Sequence, residues 1–242
     1  MELVFDIFHE RKREIEAYLD FIKHHEKSFD SSKILSTPEQ YQILLACVYI
    51  LIYNMIEATI VKLIENLEQE LYDNQVCPRL LTPELKREWA KNELGTSDSL
   101  NPETRLKKAM QFLDCIYGQK PFKIVISKDG GGNWHDEKIY KLSERLGIDL
   151  SKIPQNVITD VKHIIRDDMG CVQLVVHLRN KLAHGGISFC ECGKDKDLND
   201  VKEIFNKTCA YIEGIITSFK QFIEEKKYII KSEEPFVQRA PL

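Results

Sequence analysis

The chain has 242 residues, of which 43% are hydrophobic and 30% charged, and a chain of this length can bury one sizeable core. No Pro/Gly/Ser-rich linker divides it, which favours a single domain over residues 1–242. The formal charge of −4 and the pI near 6.0 exclude a general nucleic-acid coat protein, which would be basic over its whole surface, so any contact with nucleic acid must be local. Seven cysteines, an odd number, and an acidic N-terminus without signal-peptide character lead us to expect a reducing cytoplasm.

Two long helices are predicted in the N-terminal part. The first covers Leu3–Phe29 and is amphipathic. A break at Ser31–Pro38 separates it from the second helix, for which we expect Thr37 as the cap and Pro38 in the first turn. The second helix is predicted to run to about Tyr72.

The stretch Ile43–Ile56 in the second helix is almost continuously apolar. It is too short to cross a bilayer and is followed by the charged Glu57 and Lys62. We therefore predict a buried core helix and no membrane association.

The middle of the chain, Asp73–Asp167, is less regular and resembles an insertion between two helical pairs. Short helices are predicted at Pro83–Asn92, Pro102–Tyr117, Trp134–Leu146 and Gln155–Arg166.

A glycine triplet, Gly130–Gly132, follows a β-like run at Phe122–Ile126. It lacks the Lys-Ser/Thr or the spaced glycines of a phosphate-binding loop, so we interpret it as a turn. Asn133 is then predicted to cap the helix that begins at Trp134.

Two helices are predicted to close the fold, Asp168–His184 and Asp197–Tyr228, joined by a loop at Gly185–Lys196. The tail, 231–242, is expected to be frayed. The sequence thus predicts an all-α bundle of four to five core helices, with a helical insertion around 73–167 and a loop or β-like segment near 122–133.

The segment Arg179-Asn180-Lys181-Leu182-Ala183-His184-Gly185-Gly186 joins a permanent cation and an imidazole at one helix end. The preceding apolar residues recur with helical spacing, and the two glycines end the helix, so His184 is expected to be its last ordered residue. A guanidinium can hold a phosphate and an imidazole can move a proton.

A polar stripe is predicted along this helix, formed by Gln173, His177, Asn180 and His184. Arg179 is rotated from His184 by about 140° on an ideal helix. They converge only if the last turn unwinds, or if two copies of the helix face each other across a two-fold axis, which we favour. The ordinary alternative is a solvated helix end with a cation near the negative end of the dipole.

With the downstream Ser188-Phe189 and Cys192-Gly193-Lys194, this string resembles the signature of the HEPN superfamily (higher eukaryotes and prokaryotes nucleotide-binding), especially the stand-alone bacterial HEPN proteins of toxin–antitoxin and abortive-infection loci. The resemblance is strong over about 60 residues, from near Met169 to Tyr228, and elsewhere extends only to the helical pattern.

The resemblance implies a metal-independent endoribonuclease. His184 would act as acid/base on the ribose 2′-hydroxyl or the departing 5′-oxygen, and Arg179 would stabilise the five-coordinate phosphorus. Asn180 would orient the imidazole or donate to a phosphate oxygen. Lys181 and His177 are the expected RNA-binding residues.

Related proteins often carry a carboxylate on an early core helix, which suggests Glu57 and Asn54 as supporting residues behind the site; the alternative for Glu57 is that the helix surfaces there. The resemblance also implies a homodimer acting on tRNA, rRNA or mRNA and restrained by a cognate antitoxin.

No metal or cofactor is expected, since Cys190 and Cys192 lack the second ligand pair of a structural zinc site. Two other functions stay open: a non-catalytic HEPN antitoxin or RNA- or nucleotide-binding regulator, and a helical adaptor whose motif is coincidental.

Overall fold

The computed structural model describes residues 1–27, 37–94, 101–118, 123–128, 132–194 and 196–230. Over these ranges the chain is helical, with no strand and two isolated bridges, Leu81–Ile229 and Arg166–Met169. This confirms the all-α prediction. The helices are α1 (Glu2–Lys27), α2 (Pro38–Asp73), α3 (Pro83–Leu94), α4 (Pro102–Ile116), α5 (Asp136–Leu146), α6 (Gln155–Lys162), α7 (Cys171–Ala183), α8 (Phe189–Gly193) and α9 (Leu198–Glu224), with a 3₁₀ turn at Pro78–Leu80.

Helix α2 lies at the centre of the bundle and packs against α1, α7, α8 and α9. By length and composition it resembles a membrane span, but 56% of its most apolar window is buried by the rest of the protein. It therefore serves as the central core helix, as the apolar run predicted. Helix α3 packs on α4 and on α5, and α6 packs on α7 and α9.

Capping residues set the starts of the long helices. Thr37 accepts from the Gln40 N–H while the Gln40 side chain accepts from the Thr37 N–H, so the predicted cap is correct. Asp197 and Asp200 form the same reciprocal pair at the start of α9. Helix α7 ends at Ala183, with His184 as its C-cap and Gly185 following at φ +70°.

Several predicted boundaries were wrong: α7 begins at Cys171 instead of Asp168, and α9 ends at Glu224 instead of Tyr228. Helix α6 ends at Lys162 instead of Arg166, because the backbone leaves the helical conformation at His163, where ψ is 123°. Asp167 and Asp168 then adopt positive φ values in the tight turn that brings Arg166 back against Met169. The loop predicted at Gly185–Lys196 contains α8, which starts at a Ser188–Glu191 capping box.

The start of α5 also differs from the prediction. The cap is His135, whose Nδ1 accepts from the Lys138 N–H at 3.4 Å, and the helix begins at Asp136 instead of Trp134. Asn133 lies two residues earlier in a left-handed conformation, φ +63°. It therefore cannot act as the N-cap, which requires extended backbone.

The segment before this turn, 123–128, is held by two carboxylates. Glu68 of α2 accepts from the Ile126 N–H at 2.6 Å, and Glu88 of α3 accepts from the Ser127 N–H at 2.9 Å. Burial raises the pKa of Glu68, and the Ile126 N–H opposes the shift. Phe122 and most of the glycine triplet lie outside the described residues, as does the tail 231–242.

Helix α8 approaches α2 so closely that Gly193 has no room for a side chain. A Cβ at this position would lie 2.1 Å from the Gln42 carbonyl oxygen. We expect Gly193→Ala to lower the free energy of unfolding by about 2 kcal/mol, since the backbones must separate. Urea denaturation tests this against Gly186→Ala, where the nearest atom would lie at an ordinary 3.6 Å. Equal stability of the two variants would contradict the close packing.

The buried thiols should resist alkylation. Burial raises the pKa of Cys171 and Cys192 to about 11 and that of Cys209 to about 12, whereas Cys77 is exposed. Because the thiolate is the nucleophile, iodoacetamide at pH 8 should modify Cys77 first and these three only after denaturation. Peptide mass spectrometry measures the order, and labelling of all four at one rate would contradict this packing.

Candidate functional site

The guanidinium of Arg179, near the C-terminal end of α7, lies over an aromatic ring of the central helix. Its Cζ is 3.7 Å from the centre of the Tyr53 ring, a cation–π contact. The Arg179 side chain is 23% exposed. Arg179 is therefore not the freely solvated cation of the ordinary alternative, but a group held against α2 and partly open to solvent.

Two polar partners fix the plane of this guanidinium. Nη1 donates to Oδ1 of Asn180 at 2.8 Å, and Nη2 donates to Oε2 of Glu57 at 3.4 Å. Its other N–H groups make no hydrogen bond to any residue that the structure describes, so they are available to an anion.

The turn before α5 completes the arrangement. Asn180 donates through Nδ2 to Oδ1 of Asn133 at 2.6 Å, and the Asn133 N–H donates to the Tyr53 hydroxyl at 2.7 Å. Asn tolerates the positive φ that this turn requires. The contacts thus close a ring from Tyr53 through Arg179, Asn180 and Asn133 back to Tyr53. We refer to these four residues and Glu57 as the Arg179 network.

The Tyr53 hydroxyl stays protonated within the network. Burial raises its pKa, and the negative charge of Glu57 adds to the shift, while Arg179 and the Asn133 N–H oppose it. Tyr53 therefore contributes an aromatic face and a neutral acceptor, and it carries no charge into the site.

His184 is exposed at the end of α7, and its backbone N–H donates to the Asn180 carbonyl at 3.0 Å. Its imidazole makes no hydrogen bond or ion pair within the described part of the chain. Because α7 stays helical through Ala183, the last turn does not unwind to bring Arg179 and His184 together.

The other predicted residues lie around this helix end. His177 is half-buried and Lys181 exposed on α7, neither with a side-chain partner among the described residues. Glu57 contacts Arg179, whereas Asn54 is exposed and outside the network. Within the described ranges no three His, Cys, Asp or Glu side chains cluster as metal ligands.

The role predicted for Asn180 differs from its observed contacts. Its amide contacts Arg179 and Asn133, instead of the imidazole. Sequence reasoning also missed Tyr53 and Asn133. Tyr53 and Glu57 are one helical turn apart in an otherwise apolar run, and that pairing of an aromatic ring with a carboxylate was the available signal.

An all-α bundle that presents an arginine and a histidine at the end of a core helix is what the HEPN resemblance predicts. The chain belongs to this superfamily: the model of the HEPN_MAE_28990-like HEPN family matches residues 2–228, nearly the whole chain. Membership indicates a nucleotide-binding or RNase-like function. Searches of curated proteins and of solved structures found no significant match.

The Tyr53 hydroxyl should be important for the stability of the network. Tyr53→Phe keeps the ring under Arg179 but removes the acceptor of the Asn133 N–H, and because Asn133 is exposed, water can partly replace that acceptor. We therefore expect a loss of about 0.5–1.5 kcal/mol in the free energy of unfolding. Tyr49→Phe is the matched control, since the buried Tyr49 hydroxyl one turn earlier has no partner in the described structure. That change should be neutral or stabilising, and urea denaturation compares the two. A neutral Tyr53→Phe would show that the Asn133 contact contributes no stability.

Proposed function

We propose that the protein is a metal-independent endoribonuclease that cleaves RNA at the C-terminal end of α7. The observation that carries the proposal is the orientation of the Arg179 guanidinium by Tyr53, Glu57 and Asn180, on the same helix end as an exposed, unpartnered imidazole. A fixed cation and a mobile proton carrier are the two groups that phosphodiester transesterification requires.

RNA supplies its own nucleophile, the ribose 2′-hydroxyl. His184 would take the proton from this hydroxyl or give one to the departing 5′-oxygen. Arg179 would donate its unused N–H groups to the phosphate oxygens, whose charge rises in the five-coordinate transition state. The products would be a 2′,3′-cyclic phosphate and a 5′-hydroxyl.

Preorganisation is the contribution of the Arg179 network. Because Arg179 is already stacked and hydrogen-bonded, little reorientation is needed when a phosphate arrives. The Glu57 carboxylate offsets part of the guanidinium charge and keeps its plane fixed. Asn180 would then hold Arg179 in place by accepting its hydrogen bond. Lys181 and His177 would add local attraction for RNA in an acidic protein.

The active unit of this proposal is a homodimer with one α7 from each chain at the two-fold axis. The regular end of α7 supports this choice, since Arg179 and His184 point about 140° apart on one helix. Arg179 of one chain and His184 of the other would then face the same phosphate. A toxin-like role in the cytoplasm against tRNA, rRNA or mRNA, restrained by a cognate antitoxin, fits this activity.

Arg179→Ala and His184→Ala should each reduce cleavage of single-stranded RNA by at least about 100-fold, because each removes a group that acts in the transition state. Cleavage of a labelled oligoribonucleotide is followed by gel with EDTA present, and growth of expressing cells reports toxicity. Lys202→Ala, which removes an exposed cation on α9, should retain activity.

The same oligonucleotide with 2′-deoxyribose throughout should remain intact. Complete loss of cleavage in EDTA would contradict the metal-independent mechanism. Loss of helical circular dichroism in either motif variant would show that the residue is structural.

A mixing experiment tests the composite site. When Arg179→Ala and His184→Ala chains are co-refolded, half of the dimers are mixed and each mixed dimer has one complete centre, so activity should return to about a quarter of wild type. Sedimentation establishes the oligomeric state. A fully active monomer would contradict the two-chain arrangement.

A second candidate function is a regulator that binds RNA or a nucleotide without cutting it. The Glu57–Arg179 ion pair favours this candidate over catalysis, since the neighbouring carboxylate offsets part of the positive charge that Arg179 would supply to a transition state. A regulator would bind RNA without cleavage, and Glu57→Gln would then tighten binding in a filter assay.

A further inference from the structure

A cavity of about 640 Å³ lies between α5, α6 and α9, built from residues outside the Arg179 network. Its apolar wall includes Ile148, Leu150, Ile158 and Val161. A volume of this size is typical of pockets for small organic ligands, about 300–1,000 Å³.

One hydroxyl that lines this cavity has no hydrogen bond. Tyr211 is only 4% exposed and makes no side-chain hydrogen bond to a described residue. Ser143 also belongs to the cavity wall, but it is fully buried and a ligand does not reach its Oγ. A nearly buried hydroxyl without a partner is costly, so the Tyr211 hydroxyl is available to a ligand.

The charges around the cavity are strongly one-sided. Four carboxylates line it, Asp136, Glu137, Glu144 and Asp149, against one ammonium, Lys162. Glu137 pairs with Lys141 and Asp149 accepts from the Ser151 N–H, which leaves Asp136 and Glu144 without a side-chain hydrogen bond or ion pair among the described residues. Tyr140, 57% exposed, adds an aromatic face that attracts cations.

We propose that this cavity binds a small organic cation with an apolar or aromatic body. The apolar wall would take the body, the Tyr211 hydroxyl would hydrogen-bond a polar atom of the ligand, and Asp136 and Glu144 would bind the charged group. The proposal is independent of RNA cleavage, because none of these residues belongs to the Arg179 network.

Three probes test the chemical class of the ligand. Each has a phenyl ring on a short chain, and they differ in charge: 2-phenylethylammonium is a cation, 2-phenylethanol is neutral and phenylacetate is an anion. Protein-detected NMR titrations of the full chain, without RNA, measure the affinities. We expect a Kd of about 1 mM or lower for the ammonium, as for a good fragment, and at least about tenfold weaker binding of the alcohol. Equal affinity of the alcohol and the ammonium, or no binding of the ammonium at 10-fold that concentration, would overturn the proposal.

Variants of the protein test the location. Tyr211→Phe should weaken ammonium binding severalfold without lowering Tm, since it removes a hydroxyl that has no partner within the described protein. The double variant Asp136→Asn, Glu144→Gln should abolish the preference for ammonium over alcohol. Tyr49→Phe, which removes a buried, unpartnered hydroxyl of α2 outside the cavity, and Glu10→Gln on α1 are the matched controls. Wild-type affinity in both cavity variants would place the ligand elsewhere and overturn the proposal.

Discussion

The structure of the site depends on how a guanidinium is held against the side of an apolar helix. Helix α2 lies at the centre of the bundle, and placing Arg179 beside it without partners would leave a partly desolvated charge. Tyr53 and Glu57, one turn apart on α2, provide an aromatic face and a carboxylate at the position where α7 crosses. The central helix is therefore also the support of the candidate site.

The segment between α4 and α5 links the middle of the chain to this support. Glu68 and Glu88 accept its backbone N–H groups, and Asn133 at its end contacts both Tyr53 and Asn180. Part of what resembled an insertion thus contributes directly to the orientation of Arg179. Asn133 makes these two contacts at a positive φ, a conformation that asparagine tolerates better than most residues.

The two motif residues have contrasting environments. Arg179 has its orientation set by three neighbours, whereas His184 is exposed at a helix end that is followed by two glycines. This division suits a mechanism in which one group stabilises charge at a fixed point and the other moves protons. A second chain is part of the proposed function for a different reason: the geometry of α7 directs the side chains of Arg179 and His184 to different sides of the helix.

Much of the fold could be predicted from the sequence, because helix caps, apolar runs and helix-ending glycines depend on residues that are close together in the chain. The Thr37 cap, the apolar run of α2 and the glycines after His184 each act within a few residues, and the structure has a helix boundary or a buried face at each. The Ser188–Glu191 capping box was a local signal of the same kind that was overlooked.

The motif residues Arg179 and His184 were also visible in the sequence, as a cation and an imidazole at a predicted helix end. Their partners were not, because Tyr53, Asn133 and Asn180 meet only when α2, α7 and the turn before α5 pack together. Asn133 shows the limit clearly: its residue type favours both a helix cap and a left-handed turn, and the distant Tyr53 hydroxyl decides between them. The sequence alone therefore determined which chemical groups the helix end carries, and only tertiary packing decided how the guanidinium is oriented, since that orientation depends on contacts between residues far apart in the chain, such as Glu57 and Arg179, which are 122 positions apart.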